Sequence, residues 1–138
     1  MTDADLVAKK LARIETCVQE LRTLVRPEEL ARDVIRQRFA EHTLQIAIQA
    51  ALDVASHVVS DERLGEPETN SQLFELLAKA GWLPRERVEV LVRMTGFRNV
   101  LVHGYDDVDL AIVDDVLRNR LGDLLDFVAA VRARLPAP

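Results

Sequence analysis

Residues 110–135 read LAIVDDVLRNRLGDLLDFVAAVRARL. Within them Leu117, Leu121, Leu124, Val128, Val131 and Leu135 recur at alternating steps of four and three, which places them on one stripe of an α-helix. Arg118, Arg120, Asp123, Asp126, Arg132 and Arg134 fall between them, so the opposite side suits water. An apolar stripe this long has to be covered by another long helix. Asp106, Asp107 and Asp109 precede the segment and offer N-caps. This stretch alone predicts a helical bundle.

Moving towards the N-terminus, the same rhythm returns. Pro84 restarts the chain at a first-turn position, and Val88, Leu91, Met94, Phe97 and Leu101 continue a helix that ends or bends at Gly104. A shorter helix through Leu73, Phe74, Leu76 and Leu77 is expected to be capped by Asn70 or Ser71 and to stop at a left-handed Gly81. The polar run DERLGEPETN at 61–70, with its Gly and Pro, reads as the longest loop. Pro27 followed by Glu28 and Glu29 suits a helix start, and the pattern predicts one unbroken helix from Pro27 to Ser60. Leu6, Leu11, Ile14, Val18, Leu21 and Val25 mark a first helix over 5–25, with Lys9, Lys10, Arg13 and Glu15 between them and Cys17 near the apolar side. The expected fold is therefore an all-α, up-and-down bundle of about five helices with one long second helix. No composition break divides the 138 residues, so positions 1–138 read as a single domain.

Composition narrows the functional classes. Aromatic residues at 4% are too few for a strand-rich fold, and 49% apolar with 30% charged residues argues against disorder. A net charge of −5 excludes coating of nucleic acid by bulk electrostatics, though a local basic site is compatible with it. One cysteine cannot form an internal disulfide, which fits a reducing compartment. The opening MTDADLVAKK has no apolar signal core and charges interrupt every apolar run, so a cytoplasmic chain with no membrane association is expected. The three histidines are far apart in sequence, and no paired-His motif or Gly-rich phosphate loop occurs, so neither a metal nor another cofactor is expected.

Reactive groups concentrate in Arg98-Asn99-Val100-Leu101-Val102-His103-Gly104-Tyr105. On a helix, Val90, Met94, Phe97 and Leu101 share the core side while Thr95, Asn99 and His103 lie roughly opposite. Arg98 stands between, with a side chain long enough to reach either edge. An arginine and a histidine near one phosphate suffice for RNA cleavage without a metal. Histidine moves a proton near neutral pH, and arginine forks across the phosphate oxygens as charge builds. One histidine per chain is a poor match to both base and acid in an in-line displacement, which implies two chains facing each other. An arginine and a histidine on a helix are equally what a solvated surface provides, and the spacing alone leaves both readings open. Asp53 and His57, four apart, can face each other on the second helix, with Asp53 orienting a histidine, pairing with Arg98, or simply making an intrahelical polar pair. His42 among Arg32, Arg36 and Arg38 reads as a basic stretch that guides RNA or as a solvated face.

The run from Arg98 to Tyr105 resembles the Arg-x4-His-x-Tyr motif of the HepT-like toxins, a branch of the HEPN superfamily of small helical ribonucleases. The similarity extends upstream through Leu91–Phe97 and into LQIAIQAALDVASHVV at 44–59. With the final helix it covers nearly the whole chain. The resemblance implies a homodimeric ribonuclease paired with a minimal nucleotidyltransferase antitoxin that attaches AMP to the motif tyrosine. It makes Arg98 the phosphate clamp, His103 the general acid/base and Tyr105 the modified residue; the spacing of the residues themselves adds Asn99, Asp53 and His57 as accessory candidates. The rival from another class is a catalytically silent helical adaptor that binds a nucleotidyltransferase or another helical partner through the same face.

Overall fold

Helix α1 (Ala4–Leu24) begins where the Asp3 carboxylate accepts from the Leu6 N–H, and it buries Val7, Leu11, Ile14, Cys17, Val18 and Leu21. These positions fall on one stripe, as the heptad-like spacing requires. The structure, a computed structural model, describes residues 2–104 and 108–136.

The expected helix from Pro27 to Ser60 is two elements. Pro27 opens a 3₁₀ helix, Pro27–Arg32, and the chain then passes through an extended Asp33 before α2 (Val34–Asp61) starts. Asp33 is the cause of the break. Its carboxylate caps Arg36 N, while Gln37 Nε2 donates to Leu30 O at 2.8 Å and satisfies the end of the preceding turn. Helix α2 is the axis of the molecule, touching α1, α3, α4 and the C-terminal helices. That role explains why its apolar positions, including Leu44, Ala47, Ile48, Ala51, Val54 and Val58, run round much of its circumference.

The loop after α2 leads to α3 (Asn70–Lys79), whose N-cap is Thr69 rather than Asn70 or Ser71. Thr69 makes no side-chain cap bond; the turn is closed by the Glu68 N–H donating to Gln72 Oε1. Gly81 follows at φ +82°, the left-handed geometry expected after a helix end. Pro84 does not begin the fourth helix. It is extended and precedes a 3₁₀ turn, Arg85–Arg87, from which α4 (Val88–His103) continues. Arg87 pins this start to the C-terminal helix through Asp126 at 2.9 Å and Asp123 at 3.6 Å.

The final rod also differs from a uniform helix. Asp109 caps α5 (Leu110–Asp115) through Ala111 N, a π-helical segment follows at Val116–Arg120, and α6 (Leu121–Arg134) completes it. The wider turn adds a residue to the repeat. It lets Val113 ahead of it and Val116 and Leu117 within it stay buried while Leu121, Leu124, Val128 and Val131 stay buried beyond it. Counting this broken rod once, the described residues form an all-α, up-and-down bundle of five helical rods. The Phe74 and Phe127 rings meet edge to face at 5.9 Å and join α3 to α6 in the core. Among the described residues, no helix is long and apolar enough to cross a membrane.

Candidate functional site

Helix α4 carries the motif and presents two sides. Val88, Leu91, Met94, Thr95 and Leu101 are buried against α2 and α3, whereas Gly96, Asn99, Val100 and His103 form an exposed surface over its last two turns. The sequence reading of the polar side needs one correction. Thr95 is only 4% exposed, because its hydroxyl donates to Leu91 O at 3.1 Å and its methyl group packs like valine. Asn99 and His103 remain in water, as their spacing predicts.

Arg98 starts on the bundle side of α4 and is partly buried. Its Nη1 donates to Asn99 Oδ1 at 3.2 Å, so the guanidinium is held towards the helix edge that also carries His103. His103 is the last residue of α4, and the Gly104 N–H closes the helix on Val100 O at 2.7 Å. A Cβ at Gly104 would lie 2.9 Å from that same oxygen, so this ending tolerates only glycine without a shift. Tyr105, the third motif residue, lies outside the described residues.

Behind Arg98, an open groove of about 210 Å³ runs between α1, α2 and α4. Lys10, Arg13, Gln45, Gln49, Asp53 and Arg98 supply its polar lining. Asp53 does not face His57. Its Oδ2 accepts from Lys10 Nζ at 3.3 Å and its Oδ1 from Gln49 Nε2 at 2.9 Å. The aspartate is thus committed to α1 and to its own helix, and no hydrogen bond or ion pair joins it to Arg98. His57 is half-buried, with no hydrogen bond or ion pair among the described residues. The groove therefore brings Asp53 and Arg98 together and leaves His57 out.

Two further atoms of this wall are sealed from solvent without partners: Arg98 Nε and Gln49 Oε1. A buried polar atom without a partner costs about 1–3 kcal/mol. Sequence reasoning missed Lys10 and Arg13, which it noted only as charged residues between the apolar positions of the first helix. His42, Arg32, Arg36 and Arg38 are all exposed, and Arg36 sits 3.9 Å from Asp33, so this stretch is a solvated face separate from the groove. Among the described residues, no group of three or more His, Cys, Asp or Glu side chains could hold a metal ion.

Chemically, the last turns of α4 carry a guanidinium bonded to Asn99 and an exposed imidazole, with more positive charge along the groove. Comparison with known proteins gives the family. An mRNA nuclease HepT from Shewanella oneidensis is 28% identical over 130 residues, covering 94% of this chain and 98% of its own. A tRNA nuclease HepT from Aphanizomenon flos-aquae is 38% identical over 74 residues, covering 54% of this chain and 50% of its own. A solved structure of a tri-AMPylated Shewanella oneidensis HEPN toxin in complex with an MNT antitoxin superposes with a TM-score of 0.88 at 27% identity, covering 97% of this chain and all of that one. The family described as Ribonuclease HepT-like matches residues 14–131, a span that includes all of α2 and α4 but not Lys10 and Arg13 of the groove. The chain belongs to the HepT-like ribonuclease family.

Proposed function

We propose that the protein is the ribonuclease toxin of a toxin–antitoxin pair, cutting RNA by metal-independent proton transfer at Arg98 and His103. The observation that carries this reading is the end of α4. There the Arg98 guanidinium is anchored on Asn99 beside an exposed His103, in a chain of the HepT-like family. The clamp is Arg98, whose planar fork matches two phosphate oxygens and stays charged at every working pH. His103 takes the proton of a ribose 2′-hydroxyl as that oxygen attacks the adjacent phosphorus, or delivers one to the departing 5′ oxygen. The bond formed is 2′-O–P and the bond broken is P–O5′, so a 2′,3′-cyclic phosphate and a 5′-hydroxyl result. Base and acid stand on opposite sides of an in-line displacement, and two protomers facing each other supply one histidine to each side.

Regulation follows from the same reading. A relative of this family is AMPylated in complex with its antitoxin, and here we assign the acceptor role to Tyr105, two residues beyond His103. An AMP group there brings an anionic phosphodiester towards Arg98 and fills the approach with adenosine. Charge and bulk both oppose the substrate.

The test is direct. His103→Ala and Arg98→Ala should keep the far-ultraviolet circular dichroism of the parent and lose about 10²-fold or more of the cleavage rate on labelled RNA. Chelator should leave the parent rate unchanged. A His103→Ala protein that cuts as fast as the parent removes the catalytic assignment, and a parent that leaves RNA intact supports the adaptor reading.

A further inference from the structure

The groove behind Arg98 holds three cationic side chains, Lys10, Arg13 and Arg98, against one carboxylate, Asp53, in a chain whose overall charge is negative. Their pairing is uneven. Lys10 spends one of its three donors on Asp53 and keeps 29% of its side chain in water. Arg13 is exposed and has no hydrogen bond or ion pair among the described residues. Asp53 is already engaged twice, by Lys10 and Gln49, so it leaves the Arg13 and Arg98 charges uncompensated. Lys10 and Arg13 are three apart on α1 and therefore neighbours on one side of it. They continue the line of positive charge from the α4 edge across the groove. Its volume of about 210 Å³, open to solvent, is space that an entering anion can take.

We propose that Lys10 and Arg13 are substrate-binding residues that hold the backbone phosphate next to the scissile one, so that single-stranded RNA runs from the end of α4 across α1. The inference rests on the ribonuclease reading and extends it. Arg98 takes the scissile phosphate, and the α1 cations take its neighbour without touching a reacting atom. Asp53 has a positioning role: it fixes the Lys10 ammonium in the groove, and as the groove's single carboxylate it keeps anions from binding too tightly to leave. Because the contacts are to phosphate, they confer affinity and path rather than base preference.

Lys10→Gln, Arg13→Gln and the double substitution test this in a His103→Ala background, where substrate survives. Binding of a fluorescein-labelled single-stranded RNA is followed by anisotropy across a salt series, with Arg22→Gln on the same helix as a charge control. Each groove substitution should weaken binding about three- to tenfold, and the double variant, which gives up that one phosphate, should lower the slope of log affinity against log salt by about 0.7. In the active protein the same changes should raise KM and leave kcat within about twofold, the signature of lost uniform binding. Arg13 makes no contact that folding depends on, so Arg13→Gln reports even if Lys10→Gln perturbs the pairing with Asp53. An active parent whose double variant binds with the parent's affinity and salt slope overturns the proposal, as does loss no greater than that of Arg22→Gln. If no RNA is cut but the double variant still loses affinity and slope, the phosphate track stands and the nuclease reading falls.

Discussion

Tyr105 is the only tyrosine in the chain, which makes the proposed modification separable from every other hydroxyl chemistry. Tyr105→Phe keeps the ring and removes the acceptor. Incubation with the cognate nucleotidyltransferase and ATP should add one or more AMP masses to the parent, read by intact-mass spectrometry, and none to the variant. Equal labelling of both moves the acceptor elsewhere. At this scale the sequence was informative where a residue's fate depends on its own helix. The exposure of Asn99 and His103 and the ambivalent position of Arg98 follow from 100° steps along α4. Thr95 escaped because a threonine bonded to the carbonyl four residues back is as buriable as valine, and periodicity cannot see that bond. Lys10 and Arg13 escaped for another reason. They become part of a site only when α1 is laid beside Arg98, 85 or more positions away, and no spacing rule spans such a separation.

At the scale of elements, the ties between helices matter more than their boundaries. Glu15 on α1 and Arg132 on α6 form a two-pronged pair, with Nη2–Oε1 at 2.6 Å and Nη1–Oε2 at 3.2 Å. The hydrogen bonds from Arg132 hold the Glu15 carboxyl below its ordinary 4.5. A carboxyl with a depressed folded value adds stability above its unfolded value and loses it as pH falls through the folded one. Both side chains are close to half exposed, so screening holds the gain to about 1 kcal/mol or less. Glu15→Gln should therefore lower Tm slightly at neutral pH, and its Tm should converge with the parent's on acidification below the carboxylate range. A gap that widens in acid contradicts the pairing. Helix existence and order were legible throughout, since each apolar stripe is local. The breaks were not. Asp33 interrupts what the apolar pattern carries straight through, and the π segment at Val116–Arg120 preserves the stripe by widening one turn, so the sequence pattern reads as continuous.

For the molecule as a whole, α2 occupies the centre with its middle and C-terminal turns packed against neighbours, and α4's outer side is an exposed surface that a second copy can meet. Gly96, Asn99, Val100 and His103 make that surface small, partly apolar and close to the catalytic candidates, with Val100 45% exposed. Two-fold pairing of identical surfaces is the commonest closed arrangement for identical chains and would set two histidines across one cleft. Sedimentation equilibrium at micromolar concentration should report a dimer, and Val100→Asp, which places charge on the pairing surface, should shift it towards monomer with a parallel loss of cleavage. A monomeric parent that cuts RNA confines the chemistry to one chain.

The opposite end of the bundle has its own reporter. Trp82 is the only tryptophan, 5% exposed, with the Arg134 guanidinium carbon 5.0 Å from its ring centroid and Arg134 Nη1 donating to Gly81 O at 3.0 Å. Its indole therefore senses whether the tail of α6 is seated on the turn after α3. Light emitted from this one ring will shift in colour when that seat opens, so the molecule carries an intrinsic optical gauge at a distance from the candidate site at the end of α4. Fraying of the C-terminal helix can then be followed in real time, with no dye attached and no substrate present.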